Sequence, residues 1–281
     1  MFCFCTLAMG KSYRQLARFL AIDLYQYAPG ISLLLLSDDP HLFDDLDNVI
    51  ALLHRQHSIG CYHDKRFALE AALERYETAI YVDANVRILE PVPFDREWSP
   101  GITARSTATI YKHNHYRGKP SELWQAIKVA AQKLDLDLDH VKFLHEFMFT
   151  LKRDGEKTAD FFRWWGKLAN FFEARGIYHG EGNSIGLAAS KAGLVVQYDD
   201  QQDFRFRVFK DVITQEEMKI GKIDSDMFEQ YRVYFEIQTL IESPSSHKII
   251  RIKNRLKKFL KRSIQLSNLQ LRCLWNPKLS I

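Results

Sequence analysis

Three short stretches carry residue types and spacings with chemical potential. Asp83-Ala84-Asn85 follows the apolar run Ala79-Ile80-Tyr81-Val82, which is strand-like, so two oxygen-bearing side chains stand at i and i+2 just past the carboxyl end of a strand. Open α/β sheets bind ligands there. Such a pair can grip a hard divalent cation, or a water on it, that bridges a diphosphate; an aspartate in that position also serves as an ordinary turn residue. Gly180-Glu181-Gly182 sets a carboxylate between glycines at the start of a helical pattern, where the helix dipole favours negative charge. Gly10-Lys11-Ser12 has the outline of the end of a Walker A loop, and Ile80–Asp83 that of a Walker B strand. The full P-loop signature needs a glycine where Cys5 stands, so the phosphate-cradling nest is not expected.

A fourth signal is electrostatic. The chain has 281 residues with 39 Lys+Arg against 35 Asp+Glu, yet ten of the basic residues and none of the acidic ones follow Glu242. A mildly acidic body of 242 residues is thus joined to a strongly basic tail, which argues against a nucleic-acid-binding body. Within the tail, residues 248–262 hold eight Lys/Arg, and Ile252, Leu256, Phe259 and Leu260 recur at helical spacing. A cationic amphipathic helix over 248–264 suits an anionic membrane surface, docking on its own domain, or attraction to nucleic acid, the last being the least expected. Trp275 beyond it suits either an interfacial anchor or a packing plug.

The elements that must position these residues alternate. Phe2–Ala8 reads as a strand and Ser12–Tyr27 as a helix ended by Pro29-Gly30. Ile31–Ser37 is an apolar run suited to a parallel strand buried on both faces, and residues 62–76 form a strong helix before the strand that delivers Asp83. This rhythm predicts a doubly wound α/β sheet. Trp98–Ser121, basic and without an acidic side chain, predicts a long loop around a short strand. Helices are predicted at about 121–133, 139–153 and 157–175, the last carrying Phe161, Phe162, Trp164, Trp165, Phe171 and Phe172 as core rather than as a sugar platform. A helix at Ser184–Ala192, a strand around Phe204–Val208, a helix at Ser225–Ile241 and a linker at 242–247 complete the reading. Cys3, Cys5, Cys61 and Cys273 show neither a C-x-x-C pair nor zinc spacing, and 46% hydrophobic residues exclude a disordered chain. With neither a signal-peptide pattern nor a spanning segment apparent, a cytoplasmic protein is expected, peripheral on a membrane if the tail binds one.

This order of features, above all the Asp-Ala-Asn tripeptide after an apolar strand, resembles the nucleotide-sugar-binding half of GT-A glycosyltransferases and their Asp-X-Asp motif. The resemblance covers about residues 1–95 and continues more weakly in Gly180–Ala189, which looks like the acceptor-side segment of such enzymes. It implies a GT-A-like mixed, mostly parallel sheet flanked by helices, with a helical acceptor half and a basic C-terminal helix. The catalytic domain would be 1–242, with a nucleotide-sugar half at 1–95 and an acceptor half at 96–242, followed by a linker and basic tail at 243–281.

Carried over residue by residue, the resemblance implies that Thr6 and Asp38 contact the nucleoside and Lys65 neutralises the diphosphate or base. Asp83 and Asn85 would take the Asp-X-Asp role with Mn²⁺ or Mg²⁺, and His179 would be a third ligand. Glu181 would orient or deprotonate the acceptor hydroxyl. Asn85 departs from the motif, because an amide replaces the second carboxylate and weakens the case for a metal. The expected function is transfer of a sugar from a nucleoside-diphosphate sugar to an acceptor hydroxyl on a glycan or lipid-linked acceptor. The alternatives are a nucleotidyltransferase or P-loop-like phosphotransferase, and a non-catalytic, membrane-recruited nucleotide-sugar-binding protein.

Overall fold

The computed structural model describes residues 1–93, 95–104, 108–115, 122–198 and 257–281, together with the backbone of 248–256. Four strands, β1 (Phe2–Ala8), β2 (Leu33–Ser37), β3 (Val49–Leu53) and β4 (Thr78–Val82), run parallel. Three more extend the sheet: β5 (Gly101–Ala104), β6 (Met148–Lys152) and β7 (Val196–Tyr198). The order is β3-β2-β1-β4-β6-β5-β7, with β6 antiparallel to both β4 and β5 and β7 parallel to β5. The mixed, mostly parallel sheet flanked by helices is the architecture the sequence implies.

Strand alternation splits the core into two layers. Cys3, Cys5, Leu34, Leu36, Ala79 and Tyr81 face one side, where they meet α2 (Lys65–Leu73), α4 (Glu122–Leu134), α5 (Gly155–Glu173) and α6 (Glu181–Lys191). Phe4, Ala8, Leu33, Leu35, Ile80 and Val82 face the other, against Leu20 and Leu24 of α1 (Lys11–Tyr27). Burial on both faces is why β2 and β4 read as unbroken apolar runs. Phe161, Trp165, Phe171 and Phe172 of α5 are core, and Phe162 and Trp164 are half-buried.

Several expectations are corrected. The helix expected over 139–153 is instead an irregular approach followed by β6, whose backbone groups pair on both sides, with β4 and β5. A central strand supplies inter-strand hydrogen bonds that local periodicity does not register. β3 and β7 join the sheet without having been anticipated; the short strand expected within 98–121 is β5, and the same stretch also holds a short helix, α3 (Ile110–His115). α6 begins at Glu181, three residues before the expected Ser184. The strand and helix expected at 204–208 and 225–241, and the linker at 242–247 with its domain boundary, lie outside the described residues.

The last helix, α7 (Lys248–Trp275), leans back on the body. Gln270 Nε2 donates to the Ala174 carbonyl at 2.8 Å, and Asn170 Nδ2 to the Leu279 carbonyl at 2.6 Å. Leu269 is buried, whereas Leu260, Ile264, Leu271, Leu274 and Trp275 are exposed. Among the described residues no helix is long and apolar enough to cross a membrane.

Candidate functional site

Strand order reverses between β1 and β4, because β2 and β3 lie on one side of β1 and β4 on the other. A cleft of about 1060 Å³ opens at their carboxyl ends. Its wall includes Met9, Gly10 and Asp38, the loop Gln56–Tyr62, Asp83–Asn85, Phe143–Phe147, His179–Asn183, and residues of α7.

Asp83 is held from several directions. Its N–H donates to the Phe147 carbonyl at 2.8 Å, and Val86 N–H closes a turn on the Asp83 carbonyl at 2.9 Å. Just beyond, Arg87 makes a bidentate pair with Asp23 of α1, both contacts at 2.6 Å, while Ile88 N–H donates to the same carboxylate at 3.0 Å. This rivet fixes where the tripeptide leaves β4. Burial raises the Asp23 pKa against the opposing pull of Arg87.

At the centre stands Lys65, the first residue of α2. Its Nζ lies 2.9 Å from Asp83 Oδ1 and 2.9 Å from Glu181 Oε1, and donates to the Glu146 carbonyl at 3.2 Å. Burial disfavours its charge, but Asp83, Glu181, Tyr81 and Glu146 outweigh that and hold the ammonium well above its ordinary pKa. Tyr81, whose pKa burial raises, keeps its proton and donates it to Asp83 Oδ1 at 3.2 Å. The start of α2 is set by Asp64, which accepts from the N–H groups of His57 and Ser58 at 2.7 and 2.8 Å and lies 2.9 Å from His54 Nε2. Glu173 of α5 accepts from Ile59 and Gly60 N–H, each at 2.9 Å, so two buried carboxylates pin the loop that forms one wall.

The other wall depends on glycine. A Cβ on Gly182 would strike the Leu144 carbonyl and stand 2.7 Å from Glu146 Oε2, and one on Gly186 would strike the Lys142 carbonyl. Two glycines one helical turn apart therefore let residues 142–146 lie against α6 and bring Glu146 beside Glu181. Burial and the Glu181 charge raise the Glu146 pKa, with Lys65 opposing. Asn183, next along α6, accepts from Asn114 Nδ2 at 2.8 Å. His113 stacks on Phe143, with ring centroids 3.5 Å apart.

Beyond the end of β2, Asp38 accepts from Gly10 N–H at 3.0 Å and from Arg14 Nη1 at 2.6 Å. Burial pushes its pKa up, but Arg14 and Gly10 together bring it below the ordinary value. Gly10 N–H, the group a Walker-type reading would aim at a phosphate, is spent on Asp38.

The structure thus gathers Asp38, Lys65, Asp83, Asn85, His179 and Glu181 into one cleft wall. Thr6 is fully buried within β1 and is not part of that wall. Sequence reasoning missed Glu146, His145, Phe143 and Phe147, which it placed in a helix, and it gave Lys258, Lys261 and Arg262 of α7 no place in the site. The isolated carboxylate in Phe143-Leu144-His145-Glu146-Phe147, flanked by apolar residues, was the available signal.

Asp83, Asn85 and His179 share the cleft wall and could offer a cation one carboxylate, one amide oxygen and one imidazole. Asp83 Oδ1 is already engaged by the Lys65 ammonium, whose charge opposes a second cation beside it. Among the described residues no three of His, Cys, Asp and Glu come together as a ligand set.

No protein-family model matches the sequence, and no curated protein matches it either. Among solved structures the chain is similar in outline to the galactosyltransferase LgtC in complex with donor and acceptor sugar analogs, at 13% identity and a TM-score of 0.48, over 70% of this chain and 73% of that one.

Proposed function

We propose that this protein is a glycosyltransferase that takes a nucleoside-diphosphate sugar in the switch-point cleft and moves the sugar to an acceptor hydroxyl. The observation that carries the reading is the buried Lys65, ion-paired to Asp83 at a strand end and to Glu181 at a helix start, with Glu146 beside them and a cleft in front. One cation placed among several carboxylates can change partners as charge shifts during a reaction.

The acceptor oxygen bonds to the anomeric carbon while that carbon's bond to the diphosphate breaks, and its electron pair leaves with the nucleoside diphosphate. Lys65 offers an ammonium near the developing charge, with Asp83 fixing its position. Glu181 orients the hydroxyl. Glu146, which lies beside Glu181 and whose pKa burial raises, accepts the proton. The acceptor, a glycan or lipid-linked glycan, fits a protein that meets a membrane. The exposed apolar positions Leu260, Ile264, Leu271, Leu274 and Trp275 fall on one side of α7 and support that association.

A thermal-shift panel of nucleoside diphosphates and nucleotide sugars tests the reading, run with and without Mn²⁺ on the wild type and on Asp83→Ala. One nucleotide sugar is expected to raise the melting temperature by mass action, with the shift lost in Asp83→Ala. Stabilisation by ATP alone would move the assignment to a phosphotransferase, and no shift with any nucleotide would overturn it. A Mn²⁺ requirement would restore the metal role to Asp83, Asn85 and His179.

A further inference from the structure

The body's share of the cleft wall has the wrong sign for its proposed ligand. Among the described residues, Asp38, Asp83, Glu146 and Glu181 line it against the single ammonium of Lys65. A nucleoside diphosphate is itself polyanionic, so such a wall repels it. The missing positive charge comes from the far end of the chain. Lys258, Lys261, Arg262 and Gln265 of α7 also line the cleft, and their spacing of i, i+3, i+4 and i+7 puts all four on one helix face. Arg262 lies over the Tyr178 ring, 5.1 Å from its centroid, three residues before Glu181. The helix is moored further along by the Gln270–Ala174 hydrogen bond and the buried Leu269. Its exposed apolar positions 260, 264, 271 and 274 lie on the opposite side by the same helical count.

We infer that α7 is part of the active site, and that Lys258, Lys261 and Arg262 form the cationic wall that holds the donor's diphosphate. This rests on the donor reading above and gives it a residue set. The basic tail then gives three of its ten positive charges to the cleft. Lys65 is one ammonium shared with Asp83 and Glu181, so the rest of a diphosphate's charge calls for the exposed Lys258 and Lys261.

The test compares two triple variants of the full chain that remove equal charge. Lys258→Ala/Lys261→Ala/Arg262→Ala strips the cleft face. Lys257→Ala/Arg272→Ala/Lys278→Ala strips exposed cations of the same segment that are not in the cleft wall. Calorimetric titration with ADP, CDP, GDP and UDP, each beside its nucleoside, is the readout. For the nucleotide that binds wild type, the cleft variant is expected to weaken affinity by at least about tenfold and to flatten its salt dependence. Nucleoside affinity and the control variant should stay at wild-type values, and Lys258→Arg/Lys261→Arg should retain the nucleotide. Equal affinity of the cleft variant and wild type, or equal loss in both triples, overturns the assignment while leaving the donor reading standing. So does a cleft variant that loses binding only to vesicles containing phosphatidylserine, since the cations would then serve a lipid surface. A wild type that binds none of the four diphosphates overturns both readings.

Discussion

Two buried ion pairs flank the exit of β4, and they differ in stoichiometry. Asp23 and Arg87 form a bidentate pair, with side chains 5% exposed on both sides, two contacts of 2.6 Å and an added backbone donor. Lys65 is shared between Asp83 and Glu181 with Glu146 close by, and Asp83 is 20% exposed toward the cleft. The Asp23–Arg87 pair is not in the cleft wall, so it acts as a rivet. An over-subscribed lysine leaves carboxylate capacity facing a cavity, which is what proton transfer and charge stabilisation require. On the proposed function, one ion pair serves position and the other chemistry.

Glu146→Gln is expected to lower the rate of nucleoside diphosphate release by roughly 10²–10⁴, the usual worth of a general base. Glu181→Gln should cost less, because an amide still orients a hydroxyl. Steady-state rates with the donor found by thermal shift decide it, and a larger loss in Glu181→Gln would exchange the two roles. Substitutions at Asp23 or Arg87 should act on turnover only through the amount of folded protein.

Arg87→Met strands a buried carboxylate and should cost about 3–5 kcal/mol in denaturant unfolding, and Asp23→Leu/Arg87→Met should recover most of that because the pair is closed. Lys65→Met strands two carboxylates, so neutralising Asp83 alone should leave a deficit. Full rescue of Lys65→Met by Asp83→Asn would show that Lys65 too serves one partner.

How much of this was legible follows from range. Strands β1, β2 and β4, helix α2 and the Asp83 turn are local patterns; Asp83 came from its place at a strand end, Asp38, Lys65 and Glu181 from the family resemblance, and all four line the cleft. Glu146 was hidden because Phe143–Leu151 reads as a buried helix as readily as an approach to a central strand; what decides is β6 pairing with β4 and β5, a contact spanning about seventy residues on one side and fifty on the other. Gly182 and Gly186 looked like turn and helix punctuation, yet their use is the room they leave for residues 142–146. Lys258, Lys261 and Arg262 were visible as charge, but their placement depends on α7 docking on α5, which no local signal encodes.

The smallest effect is a tilt with pH, and it separates the carboxylates by sign. Glu146 has a raised pKa, from burial first and the Glu181 charge second, so the folded chain holds that proton more tightly than the unfolded chain. Stability from such a group is fully present below its ordinary value of 4.5 and is lost as pH rises through the folded value. Glu146→Gln should therefore gain on wild type as pH climbs from about 4 to about 8 in thermal melts. Asp64 behaves oppositely. Burial pushes its pKa up, but His54 and the N–H groups of His57 and Ser58 bring it below the ordinary 3.8, so its contribution is present above that value and fades as pH falls through the lowered one. Asp64→Asn should thus be worst near neutrality and approach wild type in acid. The two gaps should run in opposite directions, because one carboxyl is saturated with donors and the other faces a second carboxylate. A flat or reversed gap for Glu146→Gln would mean that its carboxyl is ordinarily solvated, and the proton would then have to go to Glu181.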